Sequence, residues 1–360
     1  MKLHLDRAAF RALIENIHNV TGYRMDVIEK DYYVVLLLQE LSSKQDNGLL
    51  AYFKGGTALY KALKTTKRFS EDIDLSVDTR NCGNAQNNKR LENATKKYTS
   101  LERDRAIGFT NRSEVMTGYR YNPVVEYDSN DALQRFGQVK IEATSFTISE
   151  PVTVMEIAPI LYENATDQQK AILSEQYDVY PFQIKTISIE RIFIDKLFAA
   201  EAYVRRSNDA HRAFEAAKHI YDLAVMKDEP SIIRLLSDGS QLQNLLDIRV
   251  AEELERRDGI PGIYPNEFIL FQCAEQDKKV ESAYDVMQNQ YVFKAEDRIS
   301  YFDANKAVKA IGDKLTSEKA WIQYKPTSVD VKLKIAKIRN SEQTSDNRSV
   351  IRNKTDIVQE

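Results

Sequence analysis

Two aspartates separated by one residue, Asp72 and Asp74, follow shortly after a pair of glycines, Gly55 and Gly56. From Ser70 to Val77 the residues alternate, which predicts a strand with Asp72, Asp74 and Ser76 on one side and Ile73, Leu75 and Val77 on the other. Two carboxylates on one strand face repel each other unless a cation sits between them, so the pair invites Mg²⁺ or Mn²⁺. Upstream, Leu49 to Phe53 reads as a short buried strand. Glycines let backbone approach a phosphate closely. A helix capped by Thr57, with Ala58, Leu59, Ala62 and Leu63 at helical spacing, points free N–H groups at it. A phosphate cradle followed by an Asp-x-Asp strand is what metal-assisted transfer of a nucleotidyl group from an NTP needs. An edge strand with solvated acids is the bland alternative. Gly-Gly-Thr, Arg68, Ser70 and the two aspartates coinciding in about twenty residues weigh against it.

The stretch resembles motif I of the AbiEii/AbiGii toxin family, a branch of the polymerase-β-like nucleotidyltransferases whose pattern reads approximately GGTAL…R-x-S-x-D-I-D-L. Gly55 to Leu59, Arg68, Ser70 and Asp72 to Leu75 supply each element. Fifteen residues separate Gly56 from Asp72, a longer gap than the wider superfamily usually has, and it suits the toxin-like branch. The resemblance implies that Asp72 and Asp74 bind metal and that Gly55, Gly56, Thr57, Arg68 and Ser70 lie at the phosphates. In the predicted strand GQVKIEATSFTI, Glu142 sits between Ile141 and Ala143, the pattern that supplies a third carboxylate in many polymerase-β-like enzymes. It is read either as a third metal ligand and proton acceptor or as a solvent-facing strand glutamate, with Glu156 a weaker competitor.

The resemblance continues in two helices. Glu190, Lys196, Leu197 and Ala199 are similar to a family helix E-x-x-x-x-x-K-L-x-A, implying a lysine that reaches the triphosphate. Its neighbour Asp195 is expected to point elsewhere. HRAFEAAKHIYDLAVM is similar to a segment R-D-x-x-D-L: Asp222 matches the last acid, Lys218 stands for the basic residue, and His219 replaces the first aspartate. Asp222 is expected to orient Lys196 or the nucleotide. With no partner at metal-ligand spacing, His219 reads as structural. Glu29-Lys30-Asp31 also belongs to the resemblance, although by charge pattern it reads as a solvated helix entrance.

The elements around these residues are helices at 6–20 and 26–41, then a loop after Val77 and a charged helix at about 89–105. Strands and hairpins are expected over 109–148, including Val124, Val125 and Tyr127, and again at 152–159. Pro181 marks a change, and from Ser188 the pattern is helical, with further helices within 230–258 and at 281–290 and 302–315. Net charge is −3 over 360 residues, and hydrophobic content is ordinary. The longest apolar run, Val34 to Leu38, is far too short to span a bilayer, and the N-terminus lacks a signal-peptide core, so a cytoplasmic protein is expected. Cys82 and Cys273 form no metal-binding spacing.

The fold expected is α+β: a polymerase-β-like nucleotidyltransferase core with a mixed sheet and N-terminal helices over 1–180, a helical domain over 181–330 closing the cleft, and a basic, flexible tail over 331–360. The resemblance implies an NTP-dependent toxin that uses Mg²⁺ or Mn²⁺ and has a separately encoded antitoxin. Its acceptor would be the 3′ end of tRNA. Transfer to a protein or small molecule, and nucleotide or RNA binding without catalysis, stay open.

Overall fold

In the computed structural model, which describes residues 1–63, 67–80, 82–127, 136–254, 256, 259–272 and 277–316, the alternating aspartate run is strand β2 (Ile73–Val77). Ile73, Leu75 and Val77 are buried, and Asp74 stays half-exposed on the other face. β2 lies between β1 (Ala51–Lys54), antiparallel to it, and β5 (Gln138–Thr144), parallel to it. With β3 (Glu102–Thr110), β4 (Glu114–Arg120), β6 (Val152–Ile157) and β7 (Phe182–Ile187) they form a mixed seven-stranded sheet in the order β3-β4-β5-β2-β1-β7-β6. β7 follows Pro181 directly and pairs parallel to β1 at Phe53 and Thr186, so the sheet continues past residue 180.

Helix α1 (Arg7–Thr21) is capped by Asp6, whose carboxylate accepts from the Ala9 N–H, and ends at Gly22 with φ of 71°. α2 (Met25–Asp46) packs on β5 and β7, and α3 (Gly55–Ala62) leaves β1 directly. α4 (Asn84–Thr95) covers β2, β4 and β5, while the short α5 (Ile160–Glu163) and α6 (Asp167–Tyr177) link β6 to β7. The rest of the described chain is helical: α7 (Ile189–Val204), α8 (Ala210–Met226), α9 (Pro230–Ser237), α10 (Gly239–Glu253), α11 (Lys278–Tyr291) and α12 (Tyr301–Thr316). α8 packs on α7, α11 and α12, and α7 reaches back to α3. Among the described residues no helix is long and apolar enough to cross a membrane. Cys82 is a free thiol. Cys273 and the tail at 331–360 lie outside the described residues.

Three local expectations are corrected. Glu29, Lys30 and Asp31 are not a solvated helix entrance but are buried, at 2 %, 1 % and 1 % exposure. An unpaired buried charge costs several kcal/mol, and each of these has a partner. Glu29 accepts from the Val124 and Val125 N–H groups, Lys30 donates to the Gln138 carbonyl, and Asp31 pairs with Lys61 and accepts from the Ile160 N–H. The same contacts explain why Val124 to Tyr127 forms no strand: Glu29 takes the N–H groups that a ladder would use. The charged helix begins earlier, at Asn84, and stops at Thr95. Residues 102–110 pair with β4 instead, through a bulge between Asp104 and Gly108, so edge pairing overrides their helical composition.

Candidate functional site

Strand register assembles the first part of the site. Lys54 of β1 lies opposite Asp74 of β2, which lies opposite Glu142 of β5. Cross-strand neighbours share a face and stand about 5 Å apart, so a lysine and two acids form one row. Asp72 leads into the same strand. Burial raises the Asp74 pKa; Lys54 opposes the rise and Asp72 adds to it. Burial, then Asp74 and Asp72, push Glu142 up to about 7. Burial lowers the Lys54 pKa, with Asp195 and Asp74 pulling it back. Lys54 also donates to Thr144 Oγ1 at 2.9 Å.

The glycine pair is explained by contact. Gly55 has φ of 80°, and a Cβ there would stand 2.0 Å from Asp74 Oδ2. A Cβ on Gly56 would meet Ser70 Oγ at 2.8 Å and Arg68 Nη2 at 3.0 Å. No side chain caps α3, whose first turn opens at Asp74. Thr57 is therefore not the cap expected. The helix begins two residues earlier, and Thr57 is fully buried in its first turn. Its Oγ1 lies 2.9 Å from Ser70 Oγ and donates to the Asp72 carbonyl, tying the helix to the approach of β2.

The helical half supplies the rest. Ser188 caps α7 by accepting from the Arg191 N–H, and α7 carries Lys196 to the sheet. Lys196 Nζ is 2.7 Å from Asp222 Oδ2 on α8. Arg68 grips the same carboxylate with two bonds of 2.9 Å, from Nε to Oδ1 and from Nη2 to Oδ2. Asp222 is fully buried and Arg68 nearly so. Burial works to raise the Asp222 pKa, but Arg68 and Lys196 more than offset it and hold the carboxyl far below the ordinary range. Arg68, expected at the phosphates, has its guanidinium engaged by Asp222.

A cavity of about 220 Å³ joins these parts. Asp74 and Glu142 line it from the sheet, Gly55 and Gly56 from the start of α3, and Lys196, Tyr203 and His219 from α7 and α8. A larger cavity of about 580 Å³, with Arg80 and Arg112 in its wall, lies at the far end of β2 and shares Thr147 with the first. The smaller one holds the acids, glycines and lysine together. Asp195 does not point away: it lines this cavity, and Arg191 Nε at 3.2 Å and Arg249 Nε at 3.6 Å bind its Oδ1. Against burial, those guanidinia keep its pKa below normal. Glu156 lies on β6, three strands from Asp74, and is exposed.

The donors present suit a divalent cation. Burial first, and then the neighbouring carboxylates, raise the pKa of Asp74 and of Glu142, and a cation between the acids would relieve both. Among the described residues no three His, Cys, Asp or Glu side chains enclose a metal by themselves. Mg²⁺ commonly takes one or two carboxylates and completes its shell with water and substrate phosphates.

Lys54, Tyr203, Arg249 and Arg256 also face the cavity, though no motif marked them. Lys54 was readable in principle, since Ala51-Tyr52-Phe53-Lys54 alternates and puts it on the aspartate face once β1 pairs with β2. The two arginines come from the region after 230, where the helical pattern carries no motif.

A mixed sheet bearing paired acids beside a glycine-opened helix, faced by a lysine from the helical half, is an arrangement suited to nucleotidyl transfer. The family model described as nucleotidyl transferase AbiEii toxin, type IV TA system, matches residues 36–314. The chain belongs to this family and is a nucleotidyltransferase toxin of a type IV toxin–antitoxin system. No curated protein matches it. Among solved structures it is similar to MenT4, a nucleotidyltransferase toxin from Mycobacterium tuberculosis H37Rv, at 15% identity and a TM-score of 0.48, covering 86% of this chain and 90% of that one. It is also similar to JHP933 from Helicobacter pylori, at 14% identity and a TM-score of 0.36, covering 85% and 95%. A third likeness is a putative nucleotidyltransferase from H. pylori, at 14% identity and a TM-score of 0.35, covering 80% and 95%. These are loose likenesses at the level of the fold.

Proposed function

We propose that the cavity binds an NTP and transfers its nucleotidyl group, with release of pyrophosphate, to the 3′ end of tRNA, blocking translation, with a separately encoded antitoxin as partner. The observation that carries this reading is the row Lys54–Asp74–Glu142, set against Gly55 and faced by Lys196 across one cavity. Asp72 and Asp74 would hold Mg²⁺ or Mn²⁺, which when bound neutralises the triphosphate and makes an attacking hydroxyl easier to deprotonate. The chain's own groups do the rest. The first turn of α3 at Gly55, Gly56 and Thr57, with Ser70, offers donors to the phosphates. Lys196, aimed by Asp222 and through it by Arg68, sets a positive charge where pyrophosphate leaves. Glu142, with a pKa of about 7, is half ionised near neutrality and suited to accept the proton of the acceptor hydroxyl.

The test is incubation of the full chain with each labelled NTP and Mg²⁺, against total tRNA and against tRNA-free lysate, with Asp74→Asn as control. Label on the tRNA 3′ end that disappears with Asp74→Asn supports the reading. Label only on protein or small molecules moves the acceptor. No transfer to any acceptor, with NTP bound, leaves a binding module.

A further inference from the structure

One end of the cavity holds a pair of rings that metal and phosphate chemistry leave unused. Tyr203 on α7 and His219 on α8 lie nearly parallel, with centroids 5.5 Å apart and planes at 16°. Both line the cavity that also contains Gly55, Asp74 and Lys196. Among the described residues, His219 Nδ1 is buried and has no hydrogen-bond partner. An unsatisfied buried polar atom costs about 1–3 kcal/mol, and a turn of the ring that brought Nδ1 to the cavity would let a ligand group satisfy it. Burial, then the charge of Lys196, holds the imidazole well below its usual pKa. The ring is therefore neutral at pH 7 and presents one donor and one acceptor, and rotation about χ2 exchanges which nitrogen faces inward.

Spacing along α7 gives the second line of support. Lys196, Ala199 and Tyr203 recur at helical intervals and all face the cavity. From Lys196 to Tyr203 the helix rises ~10 Å, comparable to the reach of a nucleotide from its triphosphate to its base. Between them Ala199 contributes only a methyl group, which leaves room for a ribose. Where the resembled segment R-D-x-x-D-L has an acceptor-only aspartate, this chain has a side chain that can both donate and accept.

We propose that His219, backed by Tyr203, is the nucleobase contact of this site and sets which NTP is preferred. The assignment rests on the reading of the cavity as an NTP site. It is tested by Mg²⁺-dependent binding of inorganic tripolyphosphate and of each of the four NTPs to the wild-type chain, His219→Ala and His219→Gln, with thermal melts to establish folding. The wild type is expected to prefer one NTP over the others. His219→Ala should lose ~10-fold or more for that NTP, about 1.4 kcal/mol, while tripolyphosphate binding stays within about twofold. His219→Gln, which keeps a donor and an acceptor in another geometry, should alter the order of preference. Unchanged NTP binding by folded His219→Ala overturns the assignment. Equal loss for all four NTPs with tripolyphosphate unaffected overturns the base contact and puts the histidine at the ribose. A loss that extends to tripolyphosphate also overturns it, since the histidine would then be supporting Lys196. A wild type that binds no NTP overturns the nucleotide reading itself, a failure distinct because no variant is needed to see it.

Discussion

Asp222 holds two cations at once, so replacing it with asparagine is the most informative single change. Asparagine keeps the shape and one acceptor oxygen but leaves Arg68 and Lys196 without a counter-charge in a buried place. Removing one member of a buried ion pair costs about 3–5 kcal/mol, because the orphaned charge remains. Two orphans put Asp222→Asn at or above the upper end of that range. Denaturant unfolding at pH 7 measures it. The pH dependence carries a sign. Asp222 is held below the ordinary carboxylate range, so its contribution is complete above the unfolded value of about 3.9 and fades only as pH falls below it. The gap between wild type and variant should therefore stay constant from pH 8 to pH 5. A double-mutant cycle with Lys196→Met should return a coupling well above 1 kcal/mol. A total loss below about 1 kcal/mol, the value of an exposed pair, or strict additivity in the cycle, would refute the account of Asp222 as a buried hub.

Gly55→Ala should fold with a loss of about 1–2 kcal/mol from its positive φ, and should abolish transfer by displacing Asp74; normal turnover by the alanine variant would show that the acid tolerates the shift. Glu29 has a folded pKa of about 7 because burial outweighs its two backbone bonds, so the native state holds its proton longer than the unfolded chain. Stability should fall as pH rises from about 4.5 to 7, by roughly 3 kcal/mol from this group, and Glu29→Gln should flatten that slope in unfolding curves taken across the range. Lys196→Ala should lower kcat by ~10²-fold or more. Asp195→Ala removes one of the carboxylates that Arg191 and Arg249 share with Glu252 and should raise the KM for NTP and lower the melting temperature, whereas a silent Asp195→Ala would mean Glu252 and Glu253 hold the arginines without it.

What could be read without coordinates followed a simple rule. Local patterns carry information about one element at a time, and the β2 alternation and the α7 periodicity each stood out within a dozen residues. Lys54 escaped because its importance depends on a register between two strands, which no single strand encodes. Helical spacing separates Asp195 from Lys196 by roughly 100° yet says nothing about α10, whose Arg249 joins Arg191 at the Asp195 carboxylate in the cavity wall. The Glu29-Lys30-Asp31 cluster was misjudged for the converse reason: its partners are backbone groups near residues 124, 138 and 160, and composition cannot show which carbonyl or N–H will be waiting. Residues that resemble a family pattern were legible in type, but what Arg68 holds became clear only with the fold.

Strand β1 meets its neighbours at very different times as the chain is made. β2 follows almost at once, whereas Thr186, which donates to the Phe53 carbonyl, lies 133 residues later, and Asp222 later still. A ribosome must translate 222 of the 360 residues before the last holder of Lys196 exists. A nascent chain thus carries both aspartates and both glycines for about 150 residues of synthesis before the partner of Lys196 is made. A chain cut short anywhere in that interval has the paired acids at β2 without Asp222, the carboxylate that both Arg68 and Lys196 hold.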